Sequence, residues 1–520
     1  LALKRFLQKR LRVLDPKKLA WRIQATLAEK EVEKLLRRVL PVSPYRGKAF
    51  SVGGYVRDEL LGIDSDDLDI VVEEEGGAEG LTQWLHEKFP GSTTEPYELG
   101  AGYPIWQITF TADVEFKGVG YATSGAILEF ADAMKEAYPD PESRQRVTEP
   151  GVLTDDVVRR DFTVNMLLKD LTTGELVDLT GQSKVDIEQG VLRGHPEVPL
   201  DKMFSDDPVR MLRLIRFQVK YGWQIPREVL KAVKRNVSRI EIVSAERITK
   251  ELNKIMQLGK LSRAIKLMKV VGLLQYILPE IQNLHGVKQN PKHHAEGDVF
   301  RHTLRVLQNA KPTVEDQLAA LLHDVGKPAT QEFIEDNIRF LGHEDVGAEM
   351  AEAILRRLKY PRKIIDRVVK TIKNHMRAHG VPASGPKGVR RFVRELGGEV
   401  LDYVMDLAEA DELGRLPSNP ENTKILREKV REVREAPVQV KSTPVLNGHE
   451  IMEALGFGPR DKTKLPLVGK SQRFLVELAD EYAVRAESLT KEQATHAIQE
   501  EFGAMVKKSA LAAKVLRALE

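Results

Sequence analysis

The chain has no cysteine in its 520 residues. Disulfides, thiolate metal sites and cysteine nucleophiles are excluded, so any metal must be held by His, Asp or Glu. A reducing, cytoplasmic location is the expectation that follows. Long apolar runs are missing as well. No stretch stays apolar over the roughly 20 residues that a membrane-crossing helix needs, and the first residues lack the apolar core and cleavage site of a secretory signal. A soluble protein with no membrane partner is expected. An excess of one charge is also lacking: 80 Lys and Arg against 77 Asp and Glu leave a net charge of +3. So small a balance does not announce nucleic-acid binding for the whole chain, and local patches must carry that argument.

Length alone predicts roughly three or four domains. Residues 1–42 read as a basic helical N-terminal extension, with apolar residues at helical spacing and Lys and Arg on the remaining face. An RNA-facing helix, a solvated amphipathic helix and a presequence remnant all fit that pattern. From 43 to 180 the runs AFSVGG, DLDIVVE, PIWQITF, DVEF and ELVDL read as strands among helical stretches, a mixed α/β head. Beyond it the segments PVRMLRLIRFQVKYG, AERITKELNKIMQ, TLRVLQNA and QLAALLHDVG are 3.6-periodic. They predict an all-helical remainder: a neck over 181–260, a body over 261–415 and a tail over 416–520, with breaks at NPKHHAEGD and GRLPSNPEN.

The segment from Ser51 to Asp69, SVGGYVRDELLGIDSDDLD, reads as strand, two glycines, helix and second strand. Gly53 and Gly54 let the backbone approach a ligand, the helix start offers free N–H groups to a triphosphate, and Arg57 adds a charged contact. Asp67 and Asp69 are two apart on a strand, so both carboxylates face one side and can share Mg²⁺ for a two-metal phosphoryl transfer. A Gly pair or an Asp-rich turn alone says little. Together, GG-x-VRD followed closely by D-x-D resembles the signature of the tRNA nucleotidyltransferase and bacterial poly(A) polymerase family, a branch of the superfamily that includes DNA polymerase beta.

The resemblance extends through about Met256. Arg159, Arg160, Asp161 and Asn165 in RRDFTVN match the family segment that holds ribose and triphosphate; a helix-capping Asp is the plainer reading of the same residues. Glu115 in DVEF matches a position that assists the catalytic acids. Asp207 and Arg210 in SDDPVRMLRLIRF match the motif that reads the incoming base, although the family usually has Glu where Asp206 stands. A carboxylate accepts from an exocyclic amino group while a guanidinium donates to a ring acceptor, a pattern that cytosine and adenine share and that guanine and uracil lack. Read without its neighbours, Asp207 would simply cap a helix beginning at Pro208. Glu246 and Arg247 in the following neck helix are expected to brace the base-reading helix.

Eight of the twelve histidines fall between His285 and His379. His302, the adjacent His323 and Asp324, and Asp411 resemble the H…HD…D pattern of HD-domain phosphohydrolases, with His343 and His375 placed to complete a second metal site or bind phosphate. Nitrogen and oxygen ligands with open positions suit a divalent transition metal or Mg²⁺ rather than a closed structural zinc.

What the resemblance implies is a nucleotidyltransferase head on a helical neck, an HD body and a tail that contacts the tRNA acceptor arm. The implied reaction is template-independent addition of C, C and A to the 3′ end of tRNA from CTP and ATP, with Mg²⁺ in the head. The HD domain would be a phosphatase or 2′,3′-cyclic phosphodiesterase. Addition of A alone and poly(A) synthesis share these motifs. The span from Ala137 to Asp156 resembles the flexible loop needed for the final A, which disfavours CC-only addition, while the region before it is longer than usual and has Val119 near the place of a customary Arg. An HD phosphohydrolase with a merely RNA-anchoring head, or a silent tRNA-binding module, would predict damaged head acids. Asp67 and Asp69 are both present.

Overall fold

The computed structural model describes residues 16–519 apart from 64, 66–67, 100–103, 139–146, 293, 336, 436–444, 460, 462–463 and 485–486. The chain divides into two compact units, 1–282 with 312–314, and 283–311 with 315–520.

The first unit is built on a seven-stranded sheet. Its strands are β1 (Ala49–Val52), β2 (Asp69–Val72), β3 (Tyr97–Leu99), β4 (Ile105–Thr109), β7 (Ile127–Asp132), β10 (Leu168–Asp170) and β11 (Leu176–Val177), in the order β11-β10-β1-β2-β7-β4-β3. Only β2 and β7 run parallel; every other neighbouring pair is antiparallel. Period-two alternation sorts the side chains. Ala49, Ile70, Val72, Ile108, Leu128 and Phe130 enter one core with the helices Pro16–Val39 and Gly77–Lys88. Phe50, Val52, Val71 and Leu168 enter the core on the other side, with Leu153, Val157 and Met166.

That first core changes the status of the N-terminal segment. Ala28, Val32, Leu35, Leu36, Val39 and Leu40 are buried in it, so residues 28–40 are a wall of the head rather than an extension beside it. Two further ladders, β5 (Val114–Phe116) with β6 (Val119–Tyr121) and β8 (Met134–Ala137) with β9 (Val147–Pro150), stand apart from the main sheet.

After the sheet come helices, among them Leu200–Asp206, Val209–Tyr221 and Ala245–Gln257. The Val209–Tyr221 helix buries Val209, Met211, Leu212, Leu214, Ile215, Phe217 and Val219, the wide stripe its sequence spells. It ends at Gly222, whose φ of 79° is the left-handed turn that glycine supplies without strain.

In the second unit the helix Gly398–Gly414 packs on both Val299–Asn309 and Arg362–Gly380, and His343–Arg357 lies on Arg362–Gly380. A hairpin of β12 (Gln331–Ile334) and β13 (Asn337–Phe340) interrupts them. The chain turns at Gly326 against the His343–Arg357 helix, where a Cβ would come within 2.4 Å of the His343 carbonyl oxygen. Three helices, Gly448–Ala454, Leu465–Val484 and Lys491–Leu519, close the chain around their own core of Ile451, Leu475, Ile498 and Phe502. Among the described residues no helix is long and apolar enough to cross a membrane.

Candidate functional site

β1 ends at Val52, and Gly53 turns with φ 73° into the helix Gly54–Leu60. Two guanidinium groups lie against this turn. A Cβ on Gly53 would stand 3.6 Å from Arg160 Nη1, and one on Gly54 3.5 Å from Arg57 Nη2. Each arginine is braced from behind. Buried Asp156 accepts from Arg159 Nε (2.8 Å) with one oxygen and from Arg160 Nη2 (2.7 Å) with the other. Arg57 donates to Asn165 Oδ1, and Asn165 donates to Asp161 Oδ1 at 2.8 Å. Burial pushes the Asp161 carboxyl up, yet the Arg213 charge at 2.6 Å and the bonds from Asn165 and Phe162 hold it well below the usual carboxylate range. Gly53, Gly54, Arg57, Arg159, Arg160, Asp161 and Asn165 therefore form one cationic cradle with ionised, hydrogen-bonded supports.

Asp207 precedes the Val209–Tyr221 helix and Arg210 lies in its first turn, the Arg210 N–H donating to the Asp207 carbonyl at 3.0 Å. Arg247 Nη2 holds Asp207 Oδ2 at 2.7 Å, which is the brace expected of the neck helix. Asp207 Oδ1 is buried with no hydrogen-bond donor. Arg210 donates to the carbonyls of Met203 and Arg159, fixing its guanidinium beside the cradle. An orphaned carboxylate oxygen and an oriented donor are what an amino group next to a ring acceptor would satisfy.

In the second unit His302, His323, Asp324, His343, His375 and Asp411 converge, all buried. His302 Nε2 lies 2.9 Å from Asp411 Oδ1, His323 Nε2 lies 3.1 Å from Asp324 Oδ2, and His343 Nε2 lies 3.4 Å from Asp324 Oδ1 and from His375 Nε2. The far ring nitrogens are engaged elsewhere: Nδ1 of His323, His343 and His375 meets the carbonyls of Ala320, Phe340 and Ile372, and that of His302 meets Glu296. Such partners leave the Nε2 lone pairs pointing inward. His323 Nε2, Asp324 Oδ2 and Asp411 Oδ1 are buried and make no well-directed hydrogen bond, although Lys327 Nζ stands 2.8 Å from Asp324 Oδ2. Burial and the neighbouring His323 push His375 down to about 3, so its imidazole is neutral near pH 7. These donors fit divalent cations in two adjacent groups, His302 with His323 and Asp324, and Asp324 with His343 and His375.

The model for the poly(A) polymerase head domain matches residues 49–193, that for the probable RNA and SrmB-binding site of polymerase A matches 222–284, and that for the HD domain matches 299–416. The chain is 30% identical over 460 residues to the CC-adding tRNA nucleotidyltransferase of Thermus thermophilus, covering 86% of this chain and 92% of that protein. It is 31% identical over 464 residues to the A-adding tRNA nucleotidyltransferase of Deinococcus radiodurans, covering 85% and 94%. The chain belongs to the tRNA nucleotidyltransferase family. The multifunctional CCA protein of Halorhodospira halophila is 32% identical over 339 residues, 64% of this chain and 74% of that protein. The crystal structure of the Bacillus stearothermophilus CCA-adding enzyme in complex with CTP has the same fold, with a TM-score of 0.55 at 20% identity over 88% of this chain and 98% of that one.

As a tRNA nucleotidyltransferase the chain is an enzyme with metal-dependent head and HD domains. Asp69 opens β2, while Asp67 lies outside the described residues. Glu115 is on β5, in a two-stranded ladder opposite Gly120, and not on a strand beside Asp69. The residue in register with Asp69 on the parallel neighbour β7 is Glu129. Sequence reading missed it because β7 was not recognised as a strand. Asp156, Arg213, Glu296, His379 and Arg415 were missed for another reason: each acts on a motif residue from another turn or element. His379 and Arg415 both hold Asp411 Oδ2, at 2.8 and 2.6 Å.

Proposed function

We propose that this protein adds C, C and A to the 3′ end of tRNA from CTP and ATP, releasing pyrophosphate. The observation that carries the proposal is the buried, donor-free Asp207 Oδ1 beside an oriented Arg210, whose guanidinium bonds the carbonyl of Arg159 in the arginine cradle. Arg57 and Arg160 hold the triphosphate against Gly53 and Gly54. Asp161 and Asn165 hold the ribose. Asp207 accepts from the amino group of cytosine or adenine and Arg210 donates to the adjacent ring acceptor, so side chains select the base without a template. Asp67 and Asp69 would hold Mg²⁺, which would supply activation of the 3′-hydroxyl and neutralisation of the leaving pyrophosphate. Glu129, on the same face as Asp69, adds a third carboxylate to that site.

Residues 139–146 of the span that resembles the loop for the final A lie outside the described residues, and the pairing of β8 with β9 on either side of them is taken in support of completion through that A. Addition of A alone is a second reading, favoured by the match across 94% of an A-adding relative. Product length and order decide between them. On tRNA ending before the first C the proposal expects C, C, A in sequence. A chain that extends only tRNA already ending in CC is an A-adding enzyme, and unordered long A tracts would make it a poly(A) polymerase.

We further propose that the HD domain hydrolyses a phosphate monoester or a 2′,3′-cyclic phosphate at an RNA end. A divalent transition metal or Mg²⁺ held by His302, His323, Asp324 and Asp411, with a second beside His343 and His375, would supply an activated water. Arg415 and His379 keep Asp411 ionised and aimed. Such hydrolysis frees the hydroxyl that the head needs. We take the tail from 416 as the part that holds the acceptor arm, and a reducing cytoplasm as the setting that a cysteine-free chain suits.

A further inference from the structure

Arg57 is held by two residues given no role above, Asp58, the last residue of GG-x-VRD, and Tyr221. Asp58 is 5% exposed, and its Oδ1 accepts from Arg57 Nε at 2.7 Å and lies 2.7 Å from Arg57 Nη2. The same oxygen accepts from Tyr221 Oη at 2.7 Å, and Lys220 Nζ stands 3.5 Å from Oδ2. Tyr221 is the last residue of the helix whose first turn carries Arg210. Phe217 and Tyr221 stack on each other 6.3 Å apart, and the Arg57 guanidinium lies over both rings, 5.3 and 5.0 Å from their centroids. Trp223 stacks on the outer face of Tyr221 at 4.4 Å. Arg57 is therefore clamped along one edge by Asp58, at Nη1 by Asn165, and across its face by two rings. What remains are the N–H groups of Nη1 and Nη2 not turned to Asn165 and Asp58, with Nη2 also lying against Gly54.

We propose that Asp58 and Tyr221 are positioning residues that lock Arg57 to the base-reading helix. This rests on the reading of Arg57 as a triphosphate ligand given above. A free arginine loses much rotamer entropy when it binds phosphate; one already clamped does not. The clasp also sets a fixed length between the two ends of the nucleotide. A 13-residue helix is a rod of about 20 Å, with Arg210 near its start and Tyr221, tied to Arg57 through Asp58, at its end. Base and triphosphate are thus read by two ends of one rigid element.

The probe is inorganic tripolyphosphate, which has no base, titrated with Mg²⁺ into the full chain by calorimetry. The set is wild type, Tyr221→Phe, Arg57→Ala and the double variant. Tyr221→Phe keeps the ring stack and removes one hydrogen bond to a charged group, so tripolyphosphate should bind about 3- to 10-fold more weakly. KM for CTP should rise by the same factor with kcat within about twofold, because uniform binding is lost rather than transition-state binding. In the Arg57→Ala background Tyr221→Phe should have no further effect. A purely structural role would instead lower the active fraction and leave KM alone.

Unchanged tripolyphosphate affinity in Tyr221→Phe, an equal loss in both backgrounds, or no binding to wild type would each overturn the proposal. Asp58→Asn, run through the same cycle, keeps the test decisive if Tyr221→Phe does not fold. If wild type binds tripolyphosphate but adds no nucleotide to tRNA, the functional reading fails while the clasp still stands or falls on the binding cycle.

Discussion

Asp69 sits where β2 leaves the loop after the Gly54–Leu60 helix, exposed at the end of a strand whose next three residues are buried. A carboxylate in that place lies outside the core and within reach of a cation. Asp69→Ala should lower nucleotide incorporation by about two orders of magnitude or more, with tRNA binding in a gel-shift assay unchanged. Turnover near wild type in pure protein would remove Asp69 from the catalytic centre. Glu129→Gln separates two third-acid candidates. It should reduce kcat by about tenfold, whereas Glu115→Gln, on a ladder apart from the main sheet, should not. The opposite result would restore Glu115.

At the scale of elements, the Val209–Tyr221 helix places base recognition and its supports on one rod, so its variants should alter choice before rate. Arg210→Ala or Asp207→Ala should raise the use of UTP or GTP relative to CTP and ATP by about tenfold or more, the usual worth of a base-edge contact, measured as kcat/KM ratios. Equal slowing with all four nucleotides would reduce both residues to helix support. This helix was plain in the sequence, because thirteen residues of 3.6-periodicity leave no second interpretation. Strands were less so. β7 follows the Gly-rich GVGYATSG and has Glu129 and Asp132 among its apolar residues, which hides a core strand, and β10 is three residues long. Periodicity in residues 16–39 showed that one face is buried without saying against what. The histidines and aspartates that converge in the HD domain were legible from pattern alone; Glu296, which orients His302, and Arg415, which holds Asp411, became visible only when distant turns met.

At the scale of the whole molecule, the two sites are in separate compact units, each with its own ligands. A His323→Ala/Asp324→Ala double variant should lose bound transition metal and cyclic-phosphate hydrolysis while CTP and ATP incorporation continues at wild-type rate with Mg²⁺. Loss of incorporation in a folded variant would show that the units are coupled. Removal of residues 1–40 should have the reverse pattern. Ala28, Val32, Leu35, Leu36, Val39 and Leu40 all leave the head core. At about 1.5–3 kcal/mol for each large side chain, the loss rivals the roughly 5–15 kcal/mol that holds a domain together. Calorimetry should then show the head transition gone; a head that melts as before would place this helix outside the core. The same wall sets the timing of birth on the ribosome. β1 lies between β2 and β10, with Val52 paired to Leu168, and Leu171 lies in the core that the first helix covers. At roughly 5–20 residues per second, synthesis takes on the order of ten seconds to travel from one to the other. Throughout that interval the nascent chain displays a bare apolar helix and an open strand edge, so the window for chaperones opens with the first helix and closes only once residues 168–171 have cleared the exit tunnel.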